Sequence, residues 1–161
     1  MAKVNVKYVI GHWSAGNYEP NSVDKEAYDL LVTGEGKLVV GNHELDNNKA
    51  ATAGMNSITY NISCCGGLDR TPLKNVQCEA FFKACADKLH KFGLSPDKFY
   101  THAEIGKMVE NKTITKLLPN NGYLKNNIGK IDLTKLPYDL NGKSSGDFIR
   151  NKIQWYYNKI K

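Results

Sequence analysis

A mixed α/β domain, with a β-sheet at its centre and helices packed on its faces, follows from three features of the sequence. Near the N-terminus the apolar residues Val4, Val6, Tyr8 and Ile10 fall at every second position, the period of a strand. Further on, Leu73, Val76, Ala80, Phe81, Ala84, Leu89 and Phe92 recur at steps of three and four, the period of an amphipathic helix. Residues 98–101 return to an extended, aromatic-rich pattern. Strand, helix and strand therefore follow one another as in a βαβ unit, whose parallel strands require a crossover helix.

The remaining elements fit around this frame. Residues 17–24 are polar and predict a loop. Residues 26–32, the Gly34-Glu35-Gly36 turn and residues 37–40 predict a hairpin, with Tyr28 near the start of its first strand. Residues 41–56 predict a long rim loop, and residues 59–65 a central strand closed by Gly66 and Gly67. Thr71 suits the N-cap of the long helix with Pro72 in its first turn, and Gly93 suits its end. Residues 111–142, rich in Asn, Lys and Gly, predict loop. A last helix starts near Ser145 or Gly146 and sets Ile149, Ile153, Tyr156 and Ile160 on one stripe.

At 161 residues the chain suits one domain over residues 1–161, large enough for a substantial core and without room for a second binding module. It lacks an apolar run long enough to span a membrane, and its N-terminus lacks the pattern of a secretory signal, so a cytoplasmic start is expected. Cys64, Cys65, Cys78 and Cys85 then read as reduced, buried thiols; Cys78 and Cys85 share one helix face, and no paired C-x-x-C spacing suggests a cysteine zinc site. The net charge is +6, but of the 22 basic residues only Arg70 and Arg150 are arginine. Base and phosphate recognition favours arginine's fork, and the lysines form no stripe, so specific nucleic-acid binding is not expected. Either a Lys- and Asn-rich coding bias or a modest attraction to anionic cell-wall polymers would account for the lysines.

Candidate chemistry gathers at strand ends. His12 closes the first strand beside a small-residue turn. KFYTHAEIG repeats that design around His102, and IGKIDLTKLP carries Lys130 and Asp132 two apart. Two imidazoles and a carboxylate are the ligand set of a catalytic zinc, which keeps its fourth position open. In order, HWSAG, EAYDLLVTGEGKLVVG, TYNISCCGG, YTHAEIG and GKIDLTKLP resemble the zinc-dependent N-acetylmuramoyl-L-alanine amidases, the family that includes phage endolysins and peptidoglycan recognition proteins. The resemblance runs from about residue 7 to about residue 155 and implies the same α/β architecture.

Carried over by motif, the resemblance implies zinc (Zn2+) held by His12, His102 and Asp132. It implies that Lys130 stabilises the oxyanion of a hydrolysed amide and that Tyr28 orients water or the tetrahedral intermediate, the rival reading of Tyr28 being a core tyrosine. Where some relatives carry a catalytic glutamate, this chain has Ser63, which turns attention to Tyr28 and Lys130; Glu104 is the alternative base, or else orients the metal ligands. Trp13 and Ser14 are candidate contacts to a sugar or peptide stem, with Trp13 equally suited to the core. His43 either lines the substrate groove or is simply exposed, His90 is expected on the helix surface, and Asp29 is expected to be structural. The implied activity is hydrolysis of the amide between N-acetylmuramic acid and L-alanine in peptidoglycan. The implied setting is a monomeric phage endolysin that waits in the host cytoplasm and then acts on the cell wall. The alternatives are a non-catalytic peptidoglycan binder of the same fold and a basic nucleic-acid-binding protein.

Overall fold

The computed structural model describes residues 5–46, 51–117 and 122–160. Val4, part of the rim loop (residues 47–50) and part of the later loop (residues 118–121) lie outside that set. Five strands form one sheet: β1 (Tyr8–Trp13), β2 (Leu30–Val32), β3 (Leu38–Val40), β4 (Thr59–Cys64) and β5 (Phe99–Thr101). Their order is β3-β2-β4-β1-β5. β1 is parallel to both β4 and β5, β2 is parallel to β4, and β3 closes an antiparallel hairpin on β2. The sheet is thus mixed, as the sequence predicts.

All residues of β1 and β4 are buried, which means that both faces of the sheet are covered there. On one face α2 (Asn75–Lys91) and α4 (Ser145–Tyr157) enclose the larger core around Val9, Trp13, Ile62, Phe81, Phe82 and Ile153. Ile149 and Ile153, the anchors of α4, are fully buried, and each contributes roughly 1.5–3 kcal/mol. On the other face α3 (His102–Glu110) and the short 3-10 turn Leu124–Asn127 cover Tyr8, Ile10, Met55 and Ile105. Because side chains of a strand alternate, His12 continues the face of Tyr8 and Ile10, while Trp13 takes the face of Val9.

Four local expectations change. Residues 22–27 form a helix, α1 (Ser22–Ala27), in place of loop and strand: the Asn21 side chain accepts from the Asp24 amide, and the Asp24 carboxylate accepts from the Asn21 amide. Tyr28 therefore ends a helix rather than starting a strand. The long helix begins at Asn75, not at Thr71, whose hydroxyl donates instead to the Gly16 carbonyl at 2.7 Å; Gln77 accepts from the Lys74 amide and closes the first turn. Its end is as expected, with Gly93 at φ +70°. α3 adds a helix after β5 that the apolar pattern does not predict, although Thr101 and Glu104 form a capping box that is visible as T-x-x-E. Finally, β4 and β5 are linked by α2 as parallel strands, yet β1 lies between them.

The four cysteines are free and buried. Burial pushes the Cys65 and Cys78 thiols up to about 12, so neither is a ready nucleophile. Among the described residues, no helix is long and apolar enough to cross a membrane.

Candidate metal centre

Three elements bring the candidate ligands together. His12 leaves β1 on the α3 face, His102 is the first residue of α3, and Asp132 comes from the loop before α4. Their ligand atoms all lie within 4.8 Å of one another. The Asp132 Oδ2 lies 3.5 Å from Nδ1 of His12 and 3.7 Å from Nδ1 of His102. The Trp13 backbone N–H donates to the same oxygen at 3.4 Å. Next to Asp132, Leu133 is buried in the larger core with φ +64°, a left-handed conformation unusual for a leucine. Gly11 makes room for it: a Cβ there would meet Leu133 Cδ1 at 2.9 Å and Phe99 Cζ at 2.6 Å.

Each imidazole is oriented by an asparagine. Nε2 of His12 donates to Asn61 Oδ1, and Nε2 of His102 donates to Asn127 Oδ1, both at 2.8 Å. With the proton on Nε2, the bare Nδ1 of each ring faces the other ligands. Among the described residues, Nδ1 of His12 is the buried side-chain polar atom left without a hydrogen-bond partner. Such an orphan costs on the order of 1–3 kcal/mol. Burial holds His12 below its usual pKa, and the neighbouring His102 acts in the same direction, which outweighs the opposing pull of Asp132. For Asp132, burial alone would raise the carboxyl; in acid, hydrogen bonds from the protonated rings of His102 and His12 and their charge prevail and hold it well below the usual carboxylate range. Two imidazole nitrogens, one carboxylate and an unpartnered lone pair at the focus fit a three-ligand zinc site with an open fourth position.

Tyr28 packs its ring against His12, centroids 5.0 Å apart. Burial and the charges of Asp132 and Asp24 push its phenol up, with a hydrogen bond to Ser63 opposing them, so the group stays protonated. Ser63 is the register partner of His12 across β1 and β4. Lys130 is exposed and lines a cleft of about 360 Å³ together with His102, Asn127, Asn126, Tyr123 and Ala53. Asp29 is buried and structural, accepting from the amides of Asn61 and Leu45.

Other candidates are found elsewhere. Trp13 is 5 % exposed and sits in the larger core, so its side chain belongs to packing and only its backbone N–H serves the centre. Ser14 Oγ accepts from the Gly16 and Gly66 amides and holds the turn after β1. His43 pairs with Glu26 at the surface, and His90 is exposed with its ring against Tyr157. Glu104 caps α3 and takes both forks of Arg150, at 2.8 and 2.7 Å, which makes it a structural carboxylate rather than a base. The residues overlooked in the sequence are Asn61, Asn127 and Thr52. A signal for the first existed: Thr59, Asn61 and Ser63 put three polar residues on one face of a buried strand.

A family model described as N-acetylmuramoyl-L-alanine amidase matches residues 2–115. The match includes His12, Tyr28 and His102 and ends before Lys130 and Asp132. Among solved structures, the Staphylococcus aureus hydrolase AmiA in complex with its ligand is similar at a TM-score of 0.57 and 14 % identity, over 95 % of this chain and 73 % of that one. The endolysin N-acetylmuramoyl-L-alanine amidase LysCS from Clostridium intestinale gives a TM-score of 0.53 at 13 % identity, over 70 % and 84 %. The amidase LysC from the same organism gives 0.52 at 12 % identity, over 78 % and 80 %. These identities establish a shared fold. Comparison of the sequence with curated proteins gives no match.

Proposed function

The chain belongs to the N-acetylmuramoyl-L-alanine amidase family, and from that premise we propose that it hydrolyses the amide joining N-acetylmuramic acid to L-alanine in bacterial peptidoglycan, with a zinc ion held by His12, His102 and Asp132. The observation that carries this reading is the buried Nδ1 of His12, unpartnered and facing the two other candidate ligands. A pocket that holds a naked lone pair beside a desolvated carboxylate is poorly explained by packing alone and well explained by a cation.

When bound, zinc supplies Lewis acidity and makes water a stronger nucleophile at neutral pH. The chain's own residues do the rest. His12 stays neutral and therefore keeps its lone pair available. Asp132 stays ionised and offsets part of the cation's charge. As water adds to the amide carbon, negative charge develops on the carbonyl oxygen; Lys130, at the wall of the cleft beside His102, is the ammonium we assign to it. Tyr28, protonated beside His12, donates a hydrogen bond to the same tetrahedral centre. Collapse breaks the C–N bond, and the proton that the attacking water gives up passes through this polar site to the nitrogen of L-alanine, which leaves as the amine. Neither Ser63 nor Glu104 serves as the base: the first lacks the chemistry and the second is held by Arg150.

The biological setting we assign is a phage endolysin that reaches the wall from the host cytoplasm. The test is zinc content together with release of L-alanine amino groups from purified walls, with and without a chelator. One zinc per chain and chelator-sensitive release support the reading. Bound zinc without release favours a peptidoglycan binder, and no zinc at all overturns the reading.

A further inference from the structure

We propose that the adjacent residues Thr52 and Ala53 fasten both imidazoles of the metal centre through Asn61 and Asn127, so that metal binding and the order of the loop at residues 51–56 are one coupled event. This rests on the zinc reading above. On the His12 side, Asn61 Oδ1 accepts from His12 and, at 2.8 Å, from the Thr52 hydroxyl. Asn61 Nδ2 donates at 3.1 Å to Thr59 Oγ1, which itself donates to the Met55 carbonyl. That chain of donors sets the amide's orientation: a flipped Asn61 would face the Thr59 hydroxyl with an acceptor and the Nε2 proton of His12 with a donor.

On the His102 side, Asn127 Oδ1 accepts from His102 and from the Ala53 amide at 3.2 Å, while its Nδ2 donates to the carbonyls of Ala53 at 2.9 Å and Leu124 at 3.0 Å. Every polar position of this buried side chain is used. Gly106 of α3 permits the close approach, since a Cβ there would lie 2.2 Å from the Asn127 carbonyl oxygen. Two asparagines from different elements, each oriented by its own network, thus meet at consecutive residues of one loop. The loop is itself a closed turn: the Met55 amide donates to the Thr52 carbonyl, the Thr52 amide donates to Asn56, and Met55 is fully buried in the smaller core.

The physical consequence is reciprocal. A cation that holds both Nδ1 atoms restrains the rings, the rings restrain the two amides, and the amides restrain Thr52 and Ala53; whatever the loop adds to metal affinity, the metal adds to the loop. Ala51, Ala53, Gly54 and Asn56 also line the cleft beside Lys130, so metal loading would shape the wall that substrate meets. Thr52, Asn61 and Asn127 are positioning residues in this account, since each acts through a ligand.

The experiment uses the full chain, zinc affinity by chelator competition, the absorption spectrum of the cobalt form, and hydrogen exchange at the Ala53 amide with and without zinc. In the parent protein zinc is expected to slow that exchange by about tenfold or more. Asn127→Ala is expected to weaken zinc binding by about 10–100-fold, to alter the cobalt spectrum and to abolish the slowing. Thr52→Val, nearly the same shape, removes only the hydroxyl link and is expected to weaken zinc by a smaller factor with a partial loss of protection. Glu79→Gln, which loosens contacts of α2 with Tyr138 and Tyr156 far from the centre, controls for general destabilisation and should leave both readings alone. Parental zinc affinity in both Thr52→Val and Asn127→Ala, or unchanged Ala53 exchange on loading the parent protein, overturns the inference and leaves the zinc reading intact. A parent protein that takes up no zinc overturns both.

Discussion

Nδ1 of His12, on the first strand, and Oδ2 of Asp132, on a loop near the end of the chain, lie 3.5 Å apart inside the protein. Both groups are shielded from water, and His12 is neutral, so the pair is not a settled ion pair. The zinc reading accounts for this arrangement, and several of its consequences can be measured.

Removing one ligand should abolish the site. His102→Ala and Asp132→Asn are each expected to weaken zinc binding by more than about 100-fold, beyond the range of outer-partner changes. Metal analysis after dialysis, paired with wall hydrolysis, checks this; full zinc occupancy in either variant would contradict the assigned ligands.

Lys130→Ala is expected to keep zinc and to lose on the order of 100-fold or more in kcat, the usual effect of deleting one donor to a developing oxyanion. Tyr28→Phe should follow the same pattern with a smaller loss. A change confined to KM would assign these residues to substrate binding instead.

Gly11→Ala should act on the ligands from the opposite face of β1. Its Cβ would press on Phe99 and Leu133, forcing Leu133 and hence Asp132 to shift. A stability loss of about 1–3 kcal/mol is expected from the overpacking, accompanied by weaker zinc binding. Urea denaturation of the metal-free protein and zinc competition separate the two effects.

Glu104→Gln distinguishes structure from catalysis. The bidentate contact to Arg150 would be weakened, lowering stability by about 1–2 kcal/mol. The pH profile of wall hydrolysis should keep its shape; loss of its acidic limb would restore Glu104 as the base.

The metal-free protein should lose stability on acidification in two stages. An unfolded histidine titrates near 6.5, whereas His12 in the fold titrates lower. Below 6.5 the unfolded chain therefore binds a proton that the native chain refuses, and stability falls with pH until the native value is reached. Asp132 is held below 3.8, so its contribution is present above 3.8 and is lost as pH falls further. Urea midpoints between pH 7.5 and pH 3 should show both stages, and His12→Gln should flatten the first.

How far the sequence reaches can be judged from individual residues. Alternation in β1 was legible because a strand has a period of two, and that same period already puts His12 and Trp13 on opposite faces, which rules the Trp13 side chain out of the cleft. The hairpin β2–β3, the long helix and the last helix were legible for the same local reason. The capping boxes of α1 and α3 were written as Asn21 with Asp24 and Thr101 with Glu104, but the alternation and motif around them masked the signal.

By itself, then, the sequence determined the α/β class, the faces of its strands, and the identity and order of the candidate metal ligands. Only the tertiary structure decided that Asp132 reaches the two histidines, that Glu104 belongs to Arg150, and that Asn61 and Asn127 orient the rings through one short loop. The division has a physical cause. Periodicity records which face of an element is buried among its neighbours, whereas a contact between distant segments leaves no period in the chain and exists only once the sheet and its covering helices have closed.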